Sequence, residues 1–169
     1  GDPGGHVRRA FAELGRLRPS LAESIQRLLE RYYIENGKPA EKPYLSMPIG
    51  KWRRIPDQSG GAVSLEPAHD AQVLTGAANF VEVFLAKEGH EGVVGINLLE
   101  KIQLATLPSL YGAMLANVDY VLMGAGIPRA IPGTLDRLAA GEAADYRVEV
   151  AGARSGEEFV TRFDPAAFF

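Results

Sequence analysis

Residues 92–128 read GVVGINLLEKIQLATLPSLYGAMLANVDYVLMGAGIP, which follows the order strand, loop, helix, strand and glycine turn without a break. Residues 93–98 and 120–123 are two short apolar runs, as expected for parallel strands that are covered on both faces. Between them, apolar residues recur at helical spacing over residues 108–117. This order is the repeating unit of a parallel α/β fold.

Polar and glycine residues follow each predicted strand at its carboxyl end. Asn97, Glu100 and Lys101 come at the end of the first strand, and Gly124 and Gly126 follow the second. In folds built from parallel strands, ligands bind at the carboxyl ends of the strands. These residues are therefore the candidates for binding a ligand.

The two glycines have two explanations. They permit close approach of the backbone to a phosphate or a planar ring, or they only solve the geometry of a tight turn from strand to helix. The turn is not a six-residue GxGxxG fingerprint, because Pro128 and Arg129 follow Gly126. Spacing alone leaves ligand binding and a plain turn equally open.

The size and composition of the chain limit the classes of protein to consider. With 169 residues, of which 46% are hydrophobic, it can bury one core, whereas a complete (β/α)8 barrel usually needs about 250 residues. The net charge of −3 gives no general electrostatic reason to bind nucleic acid or an anionic membrane. The sequence contains no cysteine, which excludes disulfides and thiolate chemistry, and no metal site is expected.

The start of the chain and its hydropathy pattern indicate where in the cell the protein is expected. No apolar run approaches the roughly 20 residues of a membrane span, and the start lacks the apolar core of a signal peptide. The expected location is the cytoplasm. The chain begins without methionine, and residues 1–5 resemble a turn inside a longer chain, which favours a piece of a larger protein.

The first third of the chain gives weaker predictions. Residues 6–36 are predicted to be two helices that are separated at Pro19, and residues 37–62 are predicted to be a long loop or insertion because they are rich in proline and glycine. Within that loop, Trp52 lies among basic residues at 51–54 and could stack on a base or clamp an anion. A surface loop anchored by one tryptophan is the preferred interpretation.

Residues 64–78 are predicted to start and continue a helix, and residues 79–87 are predicted to form a strand because they are rich in strand-forming side chains. Lys87, Glu88 and His90 then follow the strand and form a candidate acid/base group. A polar turn is the preferred alternative. His90 is the one histidine of three that is a candidate for catalysis.

The last part of the chain predicts a helix over residues 132–140 with Gly141 as its cap. Residues 146–150 alternate as a strand, and residues 159–163, FVTRF, are its predicted hairpin partner.

Residues 78–141 resemble the middle of the FMN-dependent nitronate monooxygenase (2-nitropropane dioxygenase-like) family, most specifically in the strings VGINLLEK and DYVLMGAGIP. Residues 1–14 resemble the helical region that precedes it. Members of this family are FMN-binding (β/α)8 barrels of the TIM type that oxidise alkyl nitronates with oxygen. The resemblance implies that residues 1–169 are a single domain or fragment of such a barrel, an incomplete one, with FMN as cofactor and a small molecule as substrate.

The resemblance also implies roles for individual residues. Residues 95–98 match the strand end beside the flavin, with Asn97 as the hydrogen-bonding residue, and residues 124–128 match the Gly-x-Pro turn near the isoalloxazine ring. Lys101 and Gly126 are placed in the cofactor or substrate region, and Glu100 is placed to orient Lys101 through a charge pair. The alternative for Glu100 and Lys101 is a helix-start carboxylate and a solvated lysine.

The chain also departs from the family pattern. It lacks the glycine–methionine flavin loop of the first strand, the AGGH-type segment that supplies the catalytic histidine, and the late glycine-rich turns that hold the phosphate. His90 lies in EGH, outside that motif, so the catalytic role is not transferred to it. An incomplete barrel exposes strand edges and apolar faces, so we expect self-association or the remainder of a longer chain.

Two alternatives to nitronate oxidation follow from the same sequence. One keeps the flavin and changes the reaction to enoyl reduction in lipid or polyketide synthesis. The other is a non-catalytic barrel fragment or interaction module. Binding of FMN to the purified chain separates the last alternative from the other two.

Overall fold

A computed structural model of the protein describes residues 3–32, 34–35, 38–39, 50–54, 63–67 and 69–168. The described helices are α1 (Pro3–Leu17), α2 (Pro19–Tyr32), α3 (His69–Ala86), α4 (Thr106–Leu115) and α5 (Ile131–Ala139). The described strands are β1 (Ile34–Glu35), β2 (Lys38–Pro39), β3 (Gly50–Arg54), β4 (Val63–Pro67), β5 (Gly95–Leu99), β6 (Tyr120–Gly124), β7 (Ala144–Arg147) and β8 (Phe159–Phe163). None of these helices combines the length and the apolar character needed to cross a membrane.

The predicted strand–helix–strand unit is confirmed. Strands β5 and β6 pair in parallel, with Gly95 opposite Tyr120 and Asn97 opposite Leu122, and α4 connects them. In the part of the chain that the structure describes, these two strands form a sheet of their own and no closed barrel is seen. The incomplete TIM-type barrel therefore stays a prediction.

Helix α4 lies at the centre of the core. All eight residues from Thr106 to Ala113 are buried, and α3 packs closely along them. Helices α1 and α2 cover α3 with Leu14 and Leu21, which are almost completely inaccessible to solvent. A helix that is apolar on every side is one that is surrounded by other elements, and α4 occupies such a position.

A second sheet has the strand order β3-β4-β8-β7. Strands β3 and β4 are antiparallel, β4 and β8 are parallel, and β7 and β8 form the predicted hairpin. Strand β7 begins at Ala144 and ends at Arg147, so the predicted strand over residues 146–150 lies too late in the chain. The Tyr111 and Phe163 rings, 5.3 Å apart, join this sheet to α4.

The helix boundaries agree in part with the sequence. The break at Pro19 and the helix predicted over 132–140 are confirmed. Gly141 follows α5 with a φ of +73°, and its amide N–H donates to the carbonyl of Leu138, the arrangement that ends many helices. Helix α2 ends at Tyr32, earlier than the predicted end near Asn36, which lies outside the described residues.

The strand predicted over residues 79–87 is wrong, because this segment is the second half of α3. The buried residues Val73, Ala77 and Phe80 recur at helical steps of four and three. The apolar run looked like a strand because α3 packs against α1, α2 and α4 and so needs apolar residues on several sides. Packing on neighbouring helices outweighs the β-propensity of its side chains.

The long loop predicted over residues 37–62 is also wrong in part, because β2 and β3 lie inside it. The predicted helix start at 64–67 is instead part of β4, and α3 begins at His69. Strand β4 pairs with β8 across about half the chain, a contact that a local sequence pattern does not contain. Trp52 lies in β3 opposite Leu65, so its segment is a paired strand. Residues 55–62 lie outside the described part.

The prediction that β5 and β6 are covered on both faces is wrong for the described residues. Ile96, Leu98, Val121 and Met123 pack against the core, whereas the alternate side chains of both strands are exposed. Both faces of this sheet therefore carry apolar side chains, but only one face is covered by the described residues.

Candidate functional site

Asn97, the middle residue of β5, and Gly124, the last residue of β6, are both ligand-binding candidates from the sequence and lie close together in the structure. The Oδ1 atom of Asn97 is 3.6 Å from the position that a Cβ atom on Gly124 would take. The two strands run in parallel register, so residues that are distant in sequence meet at this edge. The Asn97 side chain lies on the exposed face of the sheet.

A cleft of about 240 Å³ opens beside Asn97. Its walls are residues from the end of β5, the following turn and the start of α4, namely Asn97, Leu98, Leu99, Ile102, Ala105, Thr106 and Ser109. The lining is mostly apolar, with one amide and two hydroxyl groups. A concave apolar site with a few polar groups is the usual character of a small-molecule pocket.

The two hydroxyl groups of the cleft already have hydrogen-bond partners. Thr106 Oγ1 donates to the carbonyl of Ile102 at 3.2 Å, and Ser109 Oγ accepts from Asn79 Nδ2 at 3.1 Å. Among the described residues, the Asn97 carboxamide makes no such bond. Its donor and acceptor groups are therefore available to a ligand.

Thr106 and Ser109 were not among the predicted site residues. The available signal was their spacing: two hydroxyl side chains three residues apart share one face if both lie on one helix, but the helix is predicted only from residue 108, which leaves Thr106 outside it. That spacing alone does not say which end of the strand the face adjoins.

The structure of the turn Gly124–Ala125–Gly126 shows whether its glycines are needed for the turn itself or leave room for a ligand. Its left-handed residue is Ala125, with a φ of +59°, so neither glycine is needed for that conformation. A Cβ atom on Gly126 would lie 2.6 Å from Glu100 Cγ, which explains this glycine by packing. A Cβ atom on Gly124 would meet only ordinary contacts of 3.6–3.7 Å. Close approach of a ligand remains the open explanation for Gly124.

Glu100 and Lys101 do not form the predicted charge pair in the described structure. Lys101 is exposed in the turn after β5, and the Glu100 side chain packs against Gly126. Burial raises the pKa of Tyr146, and the charges of Glu100 and then Glu149 raise it further. The Glu100 carboxylate therefore lies near enough to Tyr146 of β7 for its charge to act on that side chain.

The segment that follows β7 contacts the segment that follows β5. The backbone N–H of Glu149 donates to Gln103 Oε1 at 2.5 Å, and Tyr146 is buried close by. The contact joins residues more than forty positions apart, so no local pattern in the sequence indicates it.

Lys87, at the opposite end of the sheet, takes part in a structural contact. Its ammonium group donates to Asp119 Oδ2 and to the carbonyl of Asn117, both at 2.7 Å. Asp119 also accepts the backbone N–H of Val94 at 2.8 Å. The pKa of Asp119 is lowered, first by the hydrogen bond from Lys87 and then by that from Val94. These residues precede β5 and β6, so they lie away from the cleft.

His90 and Glu88 do not combine with Lys87 into an acid/base group. His90 Nδ1 accepts the N–H of Gly92 at 2.9 Å, and its Nε2 donates to the carbonyl of Ala86 at 2.6 Å. Both ring nitrogens thus hold the backbone of the turn after α3. Glu88 binds His6 and Arg9 instead, and the Arg9 hydrogen bond is the main cause of its lowered pKa.

Comparison with models of known protein families, with curated proteins and with solved structures finds no match to this chain. The resemblance to nitronate monooxygenases therefore rests on the residues themselves.

Proposed function

We propose that this chain binds FMN at the carboxyl ends of β5 and β6, as part of a flavin-dependent oxidoreductase of the nitronate monooxygenase type. The observation that carries the proposal is the Asn97 carboxamide, without a partner among the described residues, beside Gly124 and an apolar cleft. The family resemblance suggested the same two residues from the sequence.

The cleft fits part of a flavin. Its volume of about 240 Å³ is below the roughly 300–1,000 Å³ typical of small-molecule sites. The apolar side chains of Leu99 and Ile102 suit a planar ring, and the Asn97 carboxamide can both donate to and accept from the polar edge of that ring. The described residues would thus supply one wall of a site for the ring, and the ribityl phosphate would lie outside the cleft.

A flavin bound here would supply the electron transfer between a carbanionic substrate and oxygen. The residues of this chain would bind and orient the flavin. Asn97 would hold the polar edge of the ring, and Gly124 would present its backbone to the ring without a side chain in between. Leu99 and Ile102 would shield the ring from water, and the exposed ammonium group of Lys101 would be available to an anionic substrate.

The test is a titration of the purified chain with FMN and, separately, with riboflavin, followed by flavin fluorescence and visible absorption. We expect binding below about 100 µM, a range in which a preformed site of this size binds measurably. Because the cleft receives the ring, riboflavin should bind within about threefold of FMN. Absence of binding by either flavin contradicts the proposal.

The matched variants are Asn97→Ala and Asp136→Ala. Asp136 is exposed on α5, away from the cleft lining, so its replacement should leave flavin affinity unchanged. Asn97→Ala should weaken binding about tenfold, the effect of losing one to two hydrogen bonds. Equal affinity in both variants removes Asn97 from the site.

The reaction itself is tested after flavin binding is established. Oxygen consumption that depends on an added alkyl nitronate supports the monooxygenase, and oxidation of a reduced nicotinamide that depends on an enoyl thioester supports the enoyl reductase instead.

A further inference from the structure

The outer face of the β5–β6 sheet exposes large apolar side chains. Leu99, Tyr120 and Leu122 are 56%, 60% and 54% exposed. Among the residues whose side-chain exposure the structure describes, every large apolar side chain with comparable exposure lies between positions 93 and 127, in or beside the same strand–helix–strand unit. Apolar exposure is thus concentrated on one part of this protein, which is the usual sign of an interaction surface.

These side chains form a continuous surface. Leu122 Cδ1 is 3.0 Å from the position of a Cβ atom on Gly95, and Leu99 Cδ2 is 3.6 Å from that on Gly124. Ile102 and Leu99 line the same cleft at one end of the surface. We call this surface the open face; it comprises Gly95, Asn97, Leu99, Ile102, Tyr120, Leu122 and Gly124.

The apolar area of the open face is similar to the apolar area that one partner buries in a stable dimer. Its four exposed apolar side chains, with neighbouring Val93, present on the order of 500 Å² of apolar surface. A standard interface buries about 800 Å² per partner, of which about 56–65% is apolar. The two apolar areas are therefore similar.

The edges of the sheet are open as well. Each of β5 and β6 has the other as its neighbour in the described structure, so each presents a row of unpaired backbone groups. A sheet of two strands with one bare face is marginal by itself and gains stability when another layer covers it.

The polar content of the open face indicates what kind of layer covers it. The face carries no charged side chain, so it has no preference for an acidic or a basic partner. Its central polar group is the carboxamide of Asn97, which has no partner among the described residues. A carboxamide both donates and accepts, so two of them satisfy each other across a two-fold axis.

We propose that the open face packs against the open face of a second copy of this chain, with the two Asn97 carboxamides paired at the axis. Sheets packed face to face lie about 10 Å apart, a distance that side chains of the size of Leu99 and Leu122 fill from both sides. Asn97 is also the residue proposed to contact FMN, so self-association and flavin binding exclude each other at this face. The dimer itself does not rest on flavin binding.

The test is sedimentation equilibrium of the full chain in the absence of flavin, from about 1 µM to about 200 µM. We expect a reversible monomer–dimer equilibrium. Leu122→Lys should raise the dissociation constant at least tenfold, because it places a charge in the centre of the apolar contact. Ala139→Lys, on the exposed side of α5, is the matched control and should leave the constant unchanged.

A second variant keeps the test decisive if Leu122→Lys fails to fold. Asn97→Asp places two carboxylates at the axis, so its dimer should dissociate above about pH 5 and recover as the carboxyl groups are protonated. The inference is overturned if the wild-type chain is monomeric over the whole range, or if folded Leu122→Lys associates as the wild type does. Because no flavin is present, this outcome is independent of the FMN titration.

Discussion

Gly112 of α4 lies directly against the backbone of Gly76 of α3. A Cβ atom at Gly112 would overlap the carbonyl group of Gly76. The two helices therefore approach backbone to backbone, within a core in which Phe80 of α3 and Leu110 of α4 are almost completely buried.

Gly112→Ala should lower the free energy of unfolding by about 3 kcal/mol, because the added methyl group forces the two helices apart. Gly133→Ala is the control. Its Cβ atom meets nothing within 4 Å, and it lies inside α5. That variant should gain about 0.5–1 kcal/mol from helix propensity. Urea unfolding followed by circular dichroism measures both, and equal stability of the two variants contradicts the close helix contact.

Gly124→Ala and Gly126→Ala should behave differently. Gly124→Ala has room for the methyl group, so its stability should stay within about 1 kcal/mol of the wild type while FMN affinity falls about tenfold. Gly126→Ala should cost about 1–3 kcal/mol because Glu100 must move. Thermal unfolding and flavin titration of both variants separate the ligand role from the packing role. Unchanged FMN affinity in Gly124→Ala excludes close approach of the ring there.

Asp119→Asn should make stability less sensitive to acid. The folded-state pKa of Asp119 is lowered by Lys87 and Val94, so its contribution is present above the ordinary carboxyl pKa and disappears as pH falls through the lowered value. The variant should be less stable than the wild type at neutral pH, and the difference should shrink as the pH falls below about 4. Asp136→Asn, on exposed α5, is the control. Unfolding midpoints between neutral and acidic pH test this, and a constant difference would contradict it.

His90→Ala should lower stability by about 1 kcal/mol, because the turn after α3 loses two hydrogen bonds to its backbone. It should not change flavin affinity, since Asp119, Lys87 and the turn lie at the end of the sheet opposite the cleft. His69→Ala at the start of α3 provides a histidine control for the binding assay. A loss of flavin affinity specific to His90→Ala would restore His90 as a candidate site residue.

Ala125→Gly should raise stability by up to about 1 kcal/mol, because Ala125 adopts a left-handed conformation that glycine reaches without a steric cost. Ala139→Gly, in the last turn of α5, should instead lower stability by about 0.5–1 kcal/mol. Differential scanning calorimetry compares the two. If both substitutions destabilise equally, the turn is not strained at Ala125.

The site could be predicted in part. Asn97 and Gly124 are predicted as ligand-binding candidates because ligands bind at the carboxyl ends of parallel strands, and the structure brings the two residues close together. The contact between Glu100 and Gly126, and the approach of Tyr146, depend on side-chain packing and on a distant strand. The spacing of residues in the sequence indicates neither of these two contacts.

The sequence by itself determined the local units of this protein: the β5–α4–β6 crossover, the α5 helix with its glycine end, and the β7–β8 hairpin. Each is encoded within a short window by periodicity and turn residues. Only the tertiary structure decided that residues 79–86 are helix, that β4 pairs with β8, and that one face of β5–β6 is open. The physical reason is that an apolar run indicates only that its side chains are more stable when they are buried. Whether it is buried as a helix, as a strand or against a second molecule depends on which surfaces the rest of the chain brings to it.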